Sequence, residues 1–202
     1  CNLDGTQLIC GGKQGLHLYD GESFTPFTLP DYSHLNIMEM KIYQDEVYIA
    51  ARNIGLIRFD PTTKKSFLFQ LEKKRILSFA IYDDFIFGVG TNDGGFLISK
   101  DYSVDYFSDE NGLISDNLSC VFIDAEGNIW LGTDGKGMLK FSGKSIVSYS
   151  VRNQLSSDLI MSIGQTNSGE YVFGTYDAGV TRWHQNKEAQ FIFGKENISD
   201  NT

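Results

Sequence analysis

The sequence predicts an all-β fold, a β-propeller of about five four-stranded blades. Three observations predict it. A glycine-apolar-aromatic signature recurs every 40–42 residues, short apolar runs between polar turns fill each interval, and no long stretch carries the three-to-four-residue rhythm of an amphipathic helix.

The signature is anchored on Gly15 in "GLHLY", Gly55 in "GLIRF", Gly95 in "GFLIS", Gly137 in "GMLKF" and Gly179 in "GVTRW". The next residue is always apolar: Leu16, Leu56, Phe96, Met138 and Val180. Four places after the glycine stand Tyr19, Phe59, Ser99, Phe141 and Trp183, aromatic in four of five. A pair of small residues precedes each copy, as in Gly132-Thr133 and Gly174-Thr175, and an apolar run precedes each pair. In the fourth repeat this pattern predicts strands over 119–124, 128–133, 138–141 and 145–150, with turns at 125–127, 134–137 and 142–143. Four antiparallel strands in about 40 residues make one propeller blade.

The stretch "DAEGNIWLGTDGKGMLKF" shows the local physics. Asp124 and Asn128 flank a turn in which Gly127 takes positive φ. Trp130 sits on the second strand, where it packs between blades. Gly132 lets sheets approach closely, and Thr133 bonds the backbone of the following turn, which Gly137 closes.

The 202 residues suffice to bury a domain-sized core, and 41% of them are apolar. The 21 glycines and 13% aromatics, with only 3 prolines, suit many turns between β strands. A formal net charge of −9 argues against nucleic acid, whose recognition rests on basic residues that neutralise phosphates. No apolar run reaches the roughly 18 residues of a membrane helix. Of the cysteines, Cys1, Cys10 and Cys120, the last two read as small buried strand residues. Their spacing fits neither a zinc site nor a disulfide framework.

Catalytic and cofactor signatures are missing. There is no Gly-x-Ser-x-Gly elbow, His-Glu-x-x-His or P-loop. "GTNDGG" at 90–95 lacks the lysine and following helix of a phosphate site. "TDGKG" offers Asp134 alone to a cation. No metal and no cofactor are expected. "EKKR" at 72–75 reads as a solvated loop. His17 and His184 fall in or beside strands, whereas His34, in "DYSHLN", is the one histidine placed for a site.

The fourth and fifth repeats resemble the two-component regulator propeller repeat, found in periplasmic sensor regions of bacterial hybrid two-component proteins, especially of Bacteroides-type bacteria. The matching residues are Gly112, Leu113, Ser115, Asn117, Asp124, Gly127, Asn128, Trp130, Leu131, Gly132 and Thr133. The pattern persists in "NQLSSDLIMSIGQTNSGEYVFGTYDAGVTRW", with Val172 in place of the tryptophan. The resemblance implies a sensor, periplasmic and part of an inner-membrane protein, whose propeller usually has seven blades and is followed by further sensor domains and a histidine kinase module. On that basis the chain is expected to be a propeller segment over 1–202 that begins and ends inside blades. It would partner the remaining blades, and with exposed blade faces it would self-associate. The alternative is a compact five-bladed ring.

Two functions compete. One is a non-catalytic sensor propeller responding to a polysaccharide-derived ligand. The other is an enzyme of streptogramin-lyase type on the same fold, which relies on histidine and magnesium. The missing catalytic constellation favours the first. In a propeller the turn between strands two and three shares a face with the connection to the next blade. That gathers Arg52, Asn53, Asn92, Asp93, Asp134, Lys136, Tyr176 and Asp177 on one rim, with Tyr32, His34, Arg152 and Asn153 from the connections. These hydrogen-bonding and aromatic side chains suit an oligosaccharide.

Overall fold

The computed structural model describes residues 8–52, 54–71, 75–90, 94–142, 145–153, 155–184 and 190–193. Cys1, Asn53, residues 72–74, Thr91, Asn92 and Asp93 lie outside the described residues, as do the side chains of Asn153 and of residues 190–193. The described residues form nineteen strands and two single-turn 3-10 segments, Asp109–Asn111 and Val151–Asn153.

The strands build five antiparallel sheets in chain order. The first has three: β1 (Leu8–Gly12), β2 (Gly15–Tyr19) and β3 (Phe24–Phe27). The second has β4 (Ile37–Tyr43), β5 (Glu46–Ala51), β6 (Gly55–Asp60) and β7 (Lys65–Leu68). The third has β8 (Ser78–Tyr82), β9 (Phe85–Gly90), β10 (Gly94–Ile98) and β11 (Val104–Phe107). The fourth has β12 (Leu118–Ile123), β13 (Ile129–Thr133), β14 (Met138–Ser142) and β15 (Ser145–Tyr149). The fifth has β16 (Ile160–Gln165), β17 (Tyr171–Thr175), β18 (Val180–Trp183) and β19 (Gln190–Phe193). Each is a simple meander. The fourth sheet follows the sequence-based boundaries to within a residue at each strand end.

The core is divided among the spaces between sheets, and strand alternation explains how. On β5, Val47, Ile49 and Ala51 pack toward the first sheet with Ile9 and Leu16. Tyr48 and Ala50, on the opposite face, pack toward the third sheet with Phe79 and Phe96. A strand buried on both faces reads as an unbroken apolar run, which is why "VYIAA" lacks the polar alternation of a half-exposed strand. Two further clusters join the third sheet to the fourth and the fourth to the fifth.

The first strands of neighbouring sheets lie against each other. Polar side chains tie them together. Glu39 Oε2 accepts from the Phe79 N–H at 2.6 Å, Ser78 Oγ accepts from the Val121 N–H at 3.3 Å, and the Ser119 hydroxyl donates to the Ile160 carbonyl. Bulges interrupt β4, β12 and β16 at matching places, beside Met38, Ser119 and Met161.

Turn chemistry divides the chain. The first hairpins of the second and third sheets close with two residues at positive φ, Gln44-Asp45 and Asp83-Asp84. The fourth uses the longer Asp124–Asn128 turn, with Gly127 at φ 79°. The repeated glycine needs one correction. In the third sheet the positive φ falls on Gly94, one residue before the expected Gly95. Gly94 and Gly137 share the same surroundings: a Cβ on either would run into a carbonyl oxygen, of Phe107 or Tyr149. Two adjacent glycines hid the register in the sequence, because either could fill the turn.

Candidate functional site at the mouth of the inner strands

Asp124 is the centre of the most specific sequence motif, and the structure makes it a scaffold group. It is 2% exposed. One carboxylate oxygen accepts from the backbone of Glu126 and Asn128 at 3.1 and 2.7 Å. The other accepts from Trp130 Nε1 and, across the sheet interface, from the Tyr171 hydroxyl, each at 2.8 Å. The Asn128 side-chain amide bonds both oxygens. Burial alone would raise this carboxyl, but the donors from Trp130, Asn128 and Tyr171 outweigh it and hold the pKa below the usual value. Trp130 is fully buried, with Lys140 Nζ 4.7 Å from its ring centre and Tyr171 4.5 Å away. Thr133 donates to the Gly137 carbonyl at 2.7 Å and accepts from the Lys136 N–H, and Thr175 repeats this with Gly179 and Ala178. Cys120 is buried, which pushes its thiol up to about 11 and leaves it unreactive, whereas Cys10 is half-buried.

The expected shared rim is visible in backbone hydrogen bonds. The Arg52 N–H donates to the Asn36 carbonyl, Gly94 to Asp116, Asp134 to Asn117, Gly135 and Gly137 to Asp158, and Tyr176 to Leu159. In each case a turn between second and third strands is bonded to a connection between sheets. Where the third, fourth and fifth sheets meet, these segments and the inner strands enclose a cavity of about 350 Å³. Leu77, Asn117, Leu118, Ser119, Asp134, Leu159, Met161 and Tyr176 line it. Tyr176 is 76% exposed and Met161 52% exposed, both unusual for large apolar side chains.

Two of the sequence-predicted ligand residues, Asp134 and Tyr176, therefore come together. Lys136, Asp177, Arg52 and Arg152 are exposed on neighbouring turns and connections but do not line this cavity. Tyr32 and His34 line a separate groove of about 190 Å³ beside the first sheet, together with His17. The Tyr32 hydroxyl is raised by burial and by the nearby Asp31 carboxylate. His184 follows β18, in the fifth sheet. Among the described residues, no group of three or more His, Cys, Asp or Glu could hold a metal ion.

Sequence reasoning missed Asn117, Leu159 and Met161 as site residues. Asn117 was visible only as part of the motif. Met161 carried a weak signal, because it occupies the bulge position matching Met38 and Ser119.

Residues 112–135 match the family model described as two component regulator propeller. No curated protein sequence matches the chain. Among solved structures, the chain resembles the extracellular domain of a B. thetaiotaomicron protein assigned to a hybrid two-component system, at 20% identity and TM-score 0.76, covering 95% of this chain and 27% of that one. A second B. thetaiotaomicron extracellular domain, assigned to a one-component system, gives 16% identity and TM-score 0.78, covering 98% and 31%. Virginiamycin B lyase from Staphylococcus aureus gives 12% and 0.66, covering 90% and 67%. The chain thus spans about a third of the length of the two B. thetaiotaomicron domains, and at these identities the likeness is one of fold. The motif of the fourth sheet, the meander sheets and these likenesses agree: residues 112–135 match the two-component regulator propeller repeat, within a chain whose fold is that of a β-propeller.

Proposed function

We propose that this chain is a ligand-recognising part of the extracytoplasmic, periplasmic propeller of an inner-membrane two-component sensor, that it is non-catalytic, and that it takes an oligosaccharide-derived ligand at this cavity, the mouth of the inner strands. The observation that carries the reading is the convergence of two inner strands, three connections and two turns on one cavity bearing an exposed Tyr176 and an acidic Asp134. A concave, partly apolar site with few polar groups and an aromatic platform fits sugar faces and hydroxyls. The remaining blades and downstream domains of the sensor would carry the signal. A lyase role has the shared fold in its favour and nothing more: His17 and His34 share a groove far along the chain from His184.

The test is a signalling reporter in the full sensor. Tyr176→Ala should abolish or strongly blunt the response while expression stays normal. An unchanged response in Tyr176→Ala, Met161→Ala and Asp134→Ala would remove the mouth from the mechanism. The proposed self-association of the isolated chain is checked by sedimentation velocity. A clean, concentration-independent monomer would reject it.

A further inference from the structure

Among the described residues, acceptors outweigh donors at this cavity, whose donors are the Tyr176 hydroxyl and the Asn117 side-chain amide, and this sets the chemistry of what enters. Asn117 stands in the connection from the third to the fourth sheet and lines the cavity. Its Nδ2 faces Asp134 Oδ2 at 3.4 Å. That contact fixes the direction of the amide, because the flipped form would set Oδ1 against a carboxylate. Oδ1 is then the buried atom, and it has no hydrogen-bond partner within the described protein. Closed off from water in the unliganded chain, this acceptor carries a desolvation cost that a bound donor removes once the amide shifts toward the cavity.

The other polar side chains point the same way. The Ser119 hydroxyl spends its proton on the Ile160 carbonyl, so it meets a ligand with lone pairs. Asp134 supplies a carboxylate and is the one charged residue of the lining among the described residues. Leu159, Met161 and the Tyr176 ring supply an apolar surface, and a thioether beside an aromatic ring favours a flat or apolar ligand face.

We infer that the mouth selects a neutral or cationic ligand that presents hydrogen-bond donors on an apolar body, and that it rejects anionic ligands. The inference rests on the placement of the ligand site proposed above. It narrows the sugars to neutral or amino sugars and excludes uronates and sulfated chains. A carboxylate or sulfate group would meet Asp134 at close range and could not itself donate to Asn117 Oδ1.

Three probes share one phenol ring and differ in the head group: tyramine carries an ammonium, tyrosol a hydroxyl, and 4-hydroxyphenylacetate a carboxylate. The readout is the methyl NMR signal of ¹³C-methionine in the full-length protein. Met161 lines the cavity, and Met138, fully buried beneath Trp130, serves as internal reference. Tyramine should shift Met161 saturably, tyrosol should do so several-fold more weakly, and the acid should not saturate. Asp134→Asn should bring tyramine down to tyrosol. Asn117→Leu should weaken both by roughly tenfold while leaving Met138 in place. Equal binding of the acid, or no shift of Met161 with any probe, overturns the inference. The same signal separates it from the carbohydrate reading. The expected order with no response to neutral or amino-sugar trimers overturns the carbohydrate ligand and supports the donor rule. A saturable response to a galacturonate trimer overturns the donor rule and supports the mouth as a sugar site.

Discussion

Between the fourth and fifth sheets, one buried carboxylate, Asp124, holds Trp130 on its own sheet and Tyr171 on the next. Between the second and third sheets, the link lies at the surface. Tyr102, half-exposed and at φ 65°, reaches back over Phe67 and Phe69 with ring centres 5.5 and 5.9 Å away. Arg58 donates to its hydroxyl at 3.0 Å and lies 5.3 Å from the Phe67 ring centre, with Glu46 at 3.4 Å. Both links join neighbouring sheets through aromatic rings and a charged group. They differ in solvent. The first charge is fully enclosed, so every donor aimed at it is committed; the second is open to water, which competes for the same bonds. A short sequence motif therefore marks the interface whose chemistry tolerates least change.

The largest effect should come from Trp130→Ala. The indole is fully buried against Tyr171, Phe173 and Trp183, and its removal leaves a cavity that a β-sheet interface cannot close. Chemical denaturation should show a loss of about 3–5 kcal/mol. A loss under about 1 kcal/mol would erase the distinction between the two interfaces.

Asp124→Asn should come next, at about 1–3 kcal/mol near neutral pH, because a neutral amide accepts more weakly and brings unwanted donors. Its pH dependence sharpens the comparison. The folded pKa lies below the unfolded value of about 3.9, so the charge contributes stability that is present above that value and lost as pH falls through the folded pKa. The gap between the wild type and Asp124→Asn should be constant near neutrality and close below about pH 4. A gap that widens on acidification would contradict the assignment.

The exposed link should matter least. Arg58→Ala should cost about 1 kcal/mol or less, and part of that should vanish in high salt. A loss matching that of Trp130→Ala would mean that solvent exposure does not separate the two interfaces.

Much of this contrast was legible in the sequence, and the limits have physical causes. The recurrence of Gly15, Gly55, Gly137 and Gly179 exposed the meander, since each takes positive φ at the same turn. The fourth sheet was readable to single residues because polar turns bracket its strands. The sequence marks Asp124 as a turn residue, and so it is, but it hides the second partner: Tyr171 belongs to the next repeat, at the position Ile129 occupies in the fourth. Tyr102 left no signal, because it reaches across from a third-to-fourth-strand turn that the repeats do not share. The ligand rim was half readable. Asp134 and Tyr176 follow from the turn rule, but Met161 and Asn117 reach the cavity only through a bulge and a connection.

The central claim is that Asp124 couples two sheets rather than merely closing its own turn. A double-mutant cycle between Asp124→Ala and Tyr171→Phe measures that coupling directly. Trp130 is present in all four proteins, so its contribution cancels. The structure predicts a coupling energy of about 1–3 kcal/mol. Additivity within about 0.5 kcal/mol would show that the two residues act independently and that the interface is held by apolar packing alone.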